Sequence, residues 1–449
     1  MGQNVVIIGA GISGLSIGCL LSNNDINVSI YEKMNKVGGR TAANVFRNHI
    51  LDNGFHIMPF YKKSFIFEIL RKLEIDSRIQ ITKVTDISFY SNGQYYKYPK
   101  GIIDILSLSM LNYKNRLRLL RVLLPLSFYS IKKSESMDSM PLTHLTVNLD
   151  EETKSFFDAV CMLAFADIPE HVSLGEFVRT IIRANPFRGG TSEFGYPQKG
   201  GYDQISKLLA NYINTSGGSD INLNSRVKKI VVENGKVKGI ITDTDRLIET
   251  NICIVSLPAY VAANTLFDEG IIDKKYLDYV KRLNKTTSVV EVHFALSEKI
   301  DNRQIVFPVG DKYTTKGIFF ISNITNSVSP PKEHLVLAGT PVSSNSASDS
   351  ESVRKIVGKI KGDMREIYPT FDKVLMWEKP MAWTLVESVA KEPNLVWKQK
   401  MPHEIPEIRG LFFVGDSTIS YGIGTDSAAH SALLCYPQIE SFLMKNQIA

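Results

Sequence analysis

Residues 4–14 read NVVIIGAGISG, and this short stretch decides the fold of the chain. Its apolar first half predicts a buried strand, the glycines predict a tight turn, and residues 15–23 predict a helix. A second strand is predicted over Val28–Tyr31, directly before Glu32. Strand, glycine-rich turn, helix and strand within about 30 residues form the βαβ unit that binds dinucleotides. The sequence therefore predicts an α/β fold with a parallel sheet.

The spacing of the three glycines, and of the acidic residue after them, gives each a physical role. Gly9 permits the tight turn, Gly11 lets the backbone approach a pyrophosphate, and Gly14 permits close packing between helix and strand. The phosphates then lie at a helix N-terminus, where free N–H groups and the helix dipole favour negative charge. Glu32, eighteen residues after Gly14, can accept hydrogen bonds from both hydroxyls of an adenosine ribose.

Further along the chain, the pattern alternates between strands and helices. The dipeptide Asn92-Gly93 predicts a hairpin within residues 84–98. Residues 102–131 predict helix, and the Ser/Asn/Asp-rich stretch 343–352 predicts an exposed loop. The other predicted elements are strands at 221–223, 227–232, 237–241, 252–257, 287–296, 317–323 and 334–340, a helix at 202–213, and a buried strand that enters a turn at 410–416.

Composition and charge exclude several classes of protein. The chain has 449 residues, of which 44% are hydrophobic and 22% charged, and this balance excludes a disordered, collagenous or coiled-coil protein. The net charge of +6 is too weak over this length to indicate nucleic-acid binding. The four cysteines lie far apart, and no metal-spaced histidine cluster is present, so neither a metal site nor a disulfide framework is predicted. The sequence shows no signal peptide and no apolar run of about 18 residues, so the cytoplasm is the expected compartment.

Two further segments extend the predicted phosphate-facing surface. Gly38-Gly39-Arg40-Thr41 places a glycine pair and a cation just beyond Glu32. Near the other end of the chain, Gly415-Asp416 ends a predicted buried strand, and an acidic side chain there can hold a hydroxyl group. Gly422-Ile423-Gly424-Thr425-Asp426 then leads into a helix of small residues, which supplies a second helix N-terminus. Opening and closing motifs in one chain are far more specific together than either is alone.

These segments resemble, in order and over the whole chain, those of the FAD-dependent flavoproteins that include amine oxidases, protoporphyrinogen oxidases and carotenoid desaturases. The resemblance implies a Rossmann-like FAD-binding domain, with a parallel sheet plus a β-hairpin or meander, and a discontinuous α+β substrate domain. The FAD is expected to be noncovalent, because Cys435 lies beyond the turn that would contact the flavin ring. The expected FAD-binding domain comprises 1–83, 190–260 and 400–449, and the expected substrate domain comprises 84–189 and 261–399.

The resemblance also implies which residues line the cofactor. Residues 38–41 are expected to lie along FAD, Asp416 to hold a ribityl hydroxyl, and Val227 to offer its backbone to the adenine. The helix start at Thr425 is expected at the polar edge of the flavin ring. The complete expected set is Gly9, Gly11, Ile12, Ser13, Gly14, Glu32, Lys33, Gly38, Gly39, Arg40, Thr41, Asn53, Gly54, Phe55, His56, Val227, Gly415, Asp416, Gly422, Gly424, Thr425 and Asp426.

A narrower resemblance covers about residues 50–190. Residues 51–57 read LDNGFHI and residues 167–173 read DIPEHVS, which is similar to carotene (phytoene-type) and squalene-associated desaturases. In those enzymes the first segment passes the flavin ring, which implies a place beside the ring for Asn53-Gly54-Phe55-His56. His56 is the best candidate for a catalytic base, because the pKa range of histidine suits proton transfer. It can equally be a packed histidine that shapes the flavin wall.

The function implied by these resemblances is an FAD-dependent oxidoreductase. It is expected to desaturate an apolar isoprenoid or polyene-type small molecule by hydride transfer to flavin, with oxygen or a quinone as electron acceptor. Gly424 stands where amine oxidases usually have an aromatic residue of their amine-orienting cage, although Tyr421 could supply one from nearby. The alternatives are a flavin-dependent amine oxidase of a biosynthetic pathway, a redox-neutral flavin isomerase, and a flavin-binding scaffold without activity.

Residues 113–128 carry apolar side chains at helical spacing and cations on another face. The apolar set is Tyr113, Leu117, Leu120, Leu124 and Phe128, and the cations are Lys114, Arg118 and Arg121. A basic amphipathic helix of this kind can lie in an anionic membrane surface. The same pattern also fits a core helix with solvated cations. The expected localisation is cytoplasmic, with peripheral contact at the inner membrane face as an open alternative.

Overall fold

The computed structural model describes residues 4–185, 187 and 189–447. Its strands are β1 (Val5–Ile8), β2 (Val28–Tyr31), β3 (Ala43–Phe46), β4 (His49–Asp52), β5 (Ile81–Val84), β6 (Ile87–Ser91), β7 (Gln94–Lys97), β8 (Phe194–Pro197), β9 (Asp220–Asn222), β10 (Val227–Glu233), β11 (Lys236–Thr242), β12 (Leu247–Glu249), β13 (Cys253–Val255), β14 (Ser288–Leu296), β15 (Ile305–Pro308), β16 (Gly317–Phe319), β17 (His334–Val342), β18 (Leu375–Trp383) and β19 (Leu411–Phe413). Its helices are α1 (Ile12–Ser22), α2 (Phe65–Lys72), α3 (Ile102–Ser107), α4 (Tyr113–Ser127), α5 (Ile131–Glu135), α6 (Thr143–Thr146), α7 (Glu151–Phe165), α8 (Leu174–Ala184), α9 (Gln204–Thr215), α10 (Ala259–Thr265), α11 (Lys274–Arg282), α12 (Ile321–Ile324), α13 (Ser344–Ser348), α14 (Ser350–Ile367), α15 (Phe371–Val374) and α16 (Thr425–Gln447). No helix among these described residues is long and apolar enough to cross a membrane.

A five-stranded parallel sheet forms one layer of the fold. Its strand order is β19-β13-β1-β2-β9, and every neighbouring pair is parallel. The three strands β1, β13 and β19 are buried throughout, as expected for parallel strands that are covered on both faces. Because the carboxyl ends of parallel strands share one edge, Gly9, Glu32, Ser256 and Val414 follow their strands at the same edge. This sheet confirms the predicted α/β class.

Two Asn-Gly dipeptides make the tight hairpin turns that the sequence predicts. Asn92 and Gly93 have φ angles of 50° and 78° between β6 and β7, and Asn234 and Gly235 have φ angles of 50° and 68° between β10 and β11. Positive φ at both central residues matches the twist of the flanking strands. β12 extends the second hairpin into a three-stranded antiparallel meander, which confirms the expected hairpin or meander beside the parallel sheet.

A mixed seven-stranded sheet forms the second part of the fold, with the order β18-β14-β17-β16-β15-β6-β7. All nine residues of β14 are buried between its antiparallel neighbours β17 and β18. Side chains alternate along a strand, so Val290 and Val292 share an apolar cluster with α14, whereas Glu291 and His293 point to the opposite face. On that opposite face Phe319 stacks on Phe55, with 3.7 Å between ring centroids. This contact joins the seven-stranded sheet to the segment that follows β4.

The prediction of an exposed loop at 343–352 is wrong, because the structure has helices α13 and α14 there. The Ser343 hydroxyl accepts the Ser346 N–H at 3.2 Å, and the Asp349 carboxylate accepts the Ser352 N–H at 2.8 Å. Ser and Asp are favoured both in loops and at the first position before a helix. Here each of them caps a helix, and α14 buries apolar residues that lie beyond the predicted loop.

Two other predicted elements are shorter than expected. The strand predicted at 317–323 ends at Phe319, and α12 follows. Beyond Phe319 the Leu335 N–H of β17 donates to the Ser322 hydroxyl at 2.7 Å, and not to a backbone carbonyl of a paired strand. The helix at 102–131 is broken into α3 and α4, with α5 beginning at its last residue. The Asn112 side chain accepts the Asn115 N–H at 3.0 Å and so starts α4 as a new helix.

We expect Gly14→Ala to destabilise the protein, because an added Cβ would lie 2.1 Å from the Gly9 carbonyl oxygen and 3.1 Å from the Ser256 Oγ. Overpacking of this kind typically costs about 1–3 kcal/mol. Gly11→Ala is the matched control, since no atom lies within 4 Å of its added Cβ. Urea unfolding of both variants without added cofactor measures the difference. Equal stability of the two variants would contradict the close packing at Gly14.

Candidate functional site

The glycine turn and the Gly38-Gly39 pair form one open cradle of backbone. Gly9 adopts a φ of 101°, which is the left-handed conformation that the tight turn requires. The Gly38 N–H donates to the Ala10 carbonyl oxygen at 2.8 Å and brings the second motif beside the first. No atom lies within 4 Å of a Cβ placed on Gly11, and the Gly11 Cα is 3.5 Å from a Cβ placed on Gly39. The backbone at the N-terminus of α1 is therefore uncovered on one side, which suits an anionic group such as a pyrophosphate.

Three other residues of the expected set hold this cradle in place. The Ser13 and Ser256 hydroxyls are 2.8 Å apart, and a Cβ placed on Gly415 would lie 3.7 Å from the Ser13 Oγ. The Thr41 hydroxyl donates to the Gly38 carbonyl oxygen at 2.9 Å. Ile12 is buried in the core. The start of α1 therefore touches both the second motif and the closing motif.

Glu32 ends β2 with its carboxylate turned back to the glycine turn. Its Oε2 accepts the Ala10 N–H at 2.8 Å, and its Oε1 accepts a backbone N–H two residues further on at 2.9 Å. Each carboxylate oxygen has two acceptor positions, so Glu32 keeps capacity for further hydrogen bonds. The Ser225 N–H donates to the Glu32 carbonyl oxygen at 2.9 Å, which brings the segment before Val227 to the same strand end. Val227 itself is buried, and the Lys33 side chain is exposed.

An ion pair between the partly exposed Arg40 and the buried Asp416 joins the second motif to the closing motif. The Arg40 guanidinium donates to both oxygens of Asp416, at 2.7 and 2.8 Å, and the Ser388 N–H and hydroxyl also donate to this carboxylate. Burial alone would raise the pKa of Asp416, but Arg40 and Ser388 outweigh burial and hold that pKa well below its usual range. The expected ribityl-binding carboxylate is therefore ionised and already has protein donors, which the sequence did not predict.

His56 lies next to this ion pair, but as a hydrogen-bond donor to the backbone. Its Nε2 is 3.1 Å from the carbonyl oxygens of both Arg40 and Asn53. Since both partners are acceptors, Nε2 carries the proton. Burial lowers the pKa of the imidazole, and the two carbonyl contacts only partly oppose this. These contacts fix the orientation of the ring and leave the lone pair on Nδ1. Beside it, Gly54 has a φ of 93° and no atom within 4 Å of an added Cβ.

Tyr202 connects this region to the closing motif. Its ring lies 5.2 Å from the His56 ring, and its hydroxyl is 2.9 Å from the Thr425 hydroxyl. Its N–H donates at 3.0 Å to Asp52, whose carboxylate also accepts the Tyr196 hydroxyl at 2.5 Å. Tyr202 follows the Gly200-Gly201 break in the sequence, and this was the only signal that could have pointed to it.

The remaining residues of the closing motif have partners within the protein. The Asp426 carboxylate is buried, pairs with Arg183 and accepts the Phe65 N–H, so it anchors the start of α2. The Gly422 N–H donates to Glu176 at 3.0 Å. Gly424 has a φ of 52°, and the nearest atom to its added Cβ is a Glu387 carboxylate oxygen at 3.9 Å. The corner at Gly424 is therefore open.

Several buried charges near the site were missed by sequence reasoning. Lys400 Nζ donates to the Asp416 carbonyl oxygen at 2.8 Å, and burial lowers the pKa of Lys400 to about 7. Lys391 and Glu387 lie 3.6 Å apart, and both are buried. Glu291 stands in the middle of the otherwise apolar β14. A charged residue inside an apolar run was the available signal in that last case.

The whole arrangement agrees with the result of comparison with known families. Residues 12–435 match the sequence model of flavin-containing amine oxidoreductases. The chain belongs to this family. It is a flavin-dependent oxidoreductase, and the open cradle around Gly11 fits the flavin cofactor that the family carries.

Individual relatives of this oxidoreductase are phytoene-type desaturases at low identity. The 4,4'-diapophytoene desaturase (4,4'-diapolycopene-forming) of Methylomonas sp is 23% identical over 353 residues, which cover 73% of this chain and 68% of that protein. The 15-cis-phytoene desaturase of Glycine max is 22% identical over 463 residues, which cover 96% of this chain and 78% of that protein. A solved oxidoreductase structure from Methanosarcina mazei has a TM-score of 0.77 at 22% identity, and the match covers 96% of this chain and 99% of that chain. At this identity the structural likeness shows the fold alone.

Proposed function

We propose that this flavoprotein binds FAD noncovalently and dehydrogenates an apolar isoprenoid or polyene-type small molecule. The observation that carries the proposal is the open corner at Gly424, which has no side chain to form an amine-orienting cage. Tyr421, the nearby aromatic, packs instead against Trp397 and His430, with ring centroids 4.5 and 4.3 Å apart. The phytoene-type desaturases among the relatives support the same choice of substrate class.

FAD would be held by the residues at the carboxyl edge of the parallel sheet. In this proposal Gly11 and the N-terminus of α1 face the pyrophosphate, Glu32 accepts the ribose hydroxyls, and the Val227 backbone meets the adenine. The flavin ring lies beside Gly54 and Thr425, and when bound it supplies the hydride acceptor. The division into a FAD-binding domain and a substrate domain, at the boundaries given above, belongs to the same proposal.

The noncovalent character is supported by the state of the cysteines. All four thiols are buried and without a disulfide partner. Burial raises the pKa of Cys435, the cysteine that follows the closing motif, well above its usual value. A thiol of this kind is a poor nucleophile, because the thiolate is the reactive form.

The cofactor part of the proposal predicts that acid precipitation releases free FAD, and that Glu32→Ala weakens FAD binding more than Asp52→Ala. Loss of a charge-assisted hydrogen bond costs about 1.5–3 kcal/mol, whereas Asp52 is bonded to Tyr196 and Tyr202 within the protein. Titration of the apo-protein with FAD measures both dissociation constants, with Glu152→Ala, the same change at an exposed position of α7, as the control. An unchanged dissociation constant in Glu32→Ala, or release of another flavin, would show that the cofactor assignment is wrong.

The substrate part predicts that 15-cis-phytoene in liposomes bleaches the bound flavin under anaerobic conditions, whereas small primary amines do not. Each turnover should remove two hydrogens from the substrate, so that the product is lighter by the mass of two hydrogens, which mass spectrometry of solvent extracts detects. Rapid bleaching by amines would support an amine oxidase instead. A product of unchanged mass would indicate an isomerase, and absence of bleaching by either class would indicate a binding scaffold.

The surface of α4 supports contact with an anionic membrane. Leu119, Leu123 and Leu126 pack into the core. The stripe identified in the sequence lies elsewhere on the helix: Tyr113, Leu117, Leu124 and Phe128 are exposed, and Leu120 is half-buried. The cations Lys114, Arg118 and Arg121 are exposed as well. An exposed apolar stripe flanked by cations suits the surface of an anionic bilayer, where an apolar substrate dissolves.

Reversal of Lys114, Arg118 and Arg121 to Glu should release the protein from anionic vesicles, because each cation contributes about 1 kcal/mol near such a surface. The flavin spectrum should be unchanged. The matched control reverses Arg354, Lys355 and Lys359, three exposed cations of α14, to Glu. Sedimentation with vesicles at low and high salt measures binding. Equal sedimentation of the α4 triple variant and the wild type would contradict membrane contact through α4.

A further inference from the structure

Glu291 is a buried carboxylate where the seven-stranded sheet meets residues 53–56, the segment that the proposed function places beside the flavin. It is 4% exposed, at the centre of β14. Its side chain lies on the face opposite the α14 cluster, and the Gly54 N–H is near enough to favour its ionised form. Gly339 lies opposite Glu291 on β17, where a Cβ would come within 3.1 Å of the Glu291 Cβ. The neighbouring strand is therefore shaped to leave room for this side chain.

The carboxylate is held in one orientation by a single strong donor. Trp383 Nε1–H, from the end of β18, donates to Glu291 Oε1 at 2.7 Å. Among the residues that the structure describes, no cation lies within ion-pair distance of Glu291. A buried carboxylate without a cation is costly, and such groups are concentrated at functional sites. Asp416 is paired with Arg40 and Asp426 with Arg183, whereas the carboxylate of Asp52 has a hydroxyl and a backbone N–H as its partners.

The surroundings of Glu291 favour proton uptake near neutral pH. Burial raises the pKa of Glu291 to about 7, the nearby Asp52 charge adds to this, and the Trp383 and Gly54 donors oppose it. His293, the next residue on the same face, stays neutral because burial lowers its pKa to about 3. The facing strands β17 and β18 place Gly339 and Met381 opposite Glu291, and neither titrates. Asp52 and His293 are thus the ionisable neighbours of Glu291, and burial raises the pKa of Asp52 to about 7 as well.

Other candidates for a base are less suitable. Burial lowers the pKa of His56, which makes its imidazole a weaker base, and both carboxylate oxygens of Asp52 accept hydrogen bonds, from Tyr196 and Tyr202. Glu387 lies beside Lys391, which neutralises it. Glu291 combines a fixed orientation, a place on the substrate-domain sheet and contact with the segment at Gly54.

We propose that Glu291 is the proton acceptor of the dehydrogenation, a role that rests on the proposed function. When bound, the flavin would supply the acceptor for the hydride that leaves one C–H bond of the substrate. The proton of the neighbouring C–H bond would pass to the Glu291 carboxylate, and the electron pair of that bond would form the new C=C bond. The substrate would thus lose two hydrogens, one as hydride and one as a proton, and Glu291 would later return its proton to solvent.

The test uses the FAD-loaded enzyme and 15-cis-phytoene in liposomes, with anaerobic flavin bleaching as the readout. For Glu291→Gln we expect the bleaching rate to fall by about 100-fold or more, with FAD affinity unchanged. The wild-type rate should rise with pH through an inflection near neutrality, and this inflection should vanish in the variant. Glu378→Gln, which makes the same chemical change on β18, is the control and should behave as wild type.

The outcomes separate this inference from the proposed function. If phytoene bleaches the wild type and Glu291→Gln at the same rate, with the same pH profile, Glu291 is not the proton acceptor although the proposed function stands. If phytoene does not bleach the wild type, the proposed function fails and the inference fails with it. If Glu291→Gln does not fold, Glu291→Asp decides: a lower rate with the inflection retained supports the inference, and a wild-type rate overturns it.

A second readout follows the carboxylate without any substrate. The folded-state pKa of Glu291 is raised above its usual value of 4.5. Its contribution to stability is therefore fully present below that pH and is lost as the pH rises toward about 7. Relative to Glu291→Gln, the wild-type apo-protein should lose stability in urea unfolding across this interval. A constant difference between the two proteins would show that Glu291 does not titrate there and would overturn the inference.

Discussion

The ion pair between Arg40 and Asp416 is the contact on which the rest of the site depends. Removing one partner of a buried ion pair typically costs about 3–5 kcal/mol, because the other charge is left uncompensated. Asp416 is buried but the Arg40 side chain is 37% exposed, so water compensates part of the charge and the cost lies below that range. Arg40 follows the first βαβ unit, Asp416 follows β19, and Ser388 donates from the loop after β18. The carboxylate is satisfied only when these three distant segments come together, so the discontinuous site forms with the complete fold.

Local physical rules explain which elements could be predicted from the sequence. The βαβ unit at the start of the chain depends on residues within about 30 positions of each other, and Gly9 and Gly14 have the conformations and contacts that the motif requires. The stretch 343–352 shows the opposite case. Its Ser and Asp residues satisfy loop and helix-cap requirements equally well, and the choice is made by the apolar face of α14 that packs on β14. That packing partner is more than fifty residues away in the sequence and leaves no local signal.

The candidate site divides in the same way. The glycines of the site were predictable, because Gly11 and Gly54 lie where the backbone must stay uncovered. The partners of charged residues were not predictable. Asp416 as a ligand for hydroxyls follows from its place at a strand end, but its pairing with Arg40 depends on a contact between residues 376 positions apart. Asp426 likewise appears in a helix start that suits a flavin, yet its carboxylate holds Arg183 and the start of α2.

The buried charges thus fall into two groups that serve different purposes. Beside the cradle, Asp416 and Arg40 compensate each other, so both stay ionised over the whole physiological pH range and give the cofactor side a fixed electrostatic field. On the face of β14, Glu291 accepts a hydrogen bond from the Trp383 indole N–H and has no ion-pair partner among the described residues, so its charge depends on pH. Electrostatic interactions are strongest where water is excluded. In the proposed function, the fixed charges of Arg40 and Asp416 on the cofactor side and the titratable carboxylate of Glu291 on the face of β14 would let the site bind an uncharged substrate and still accept a proton from it.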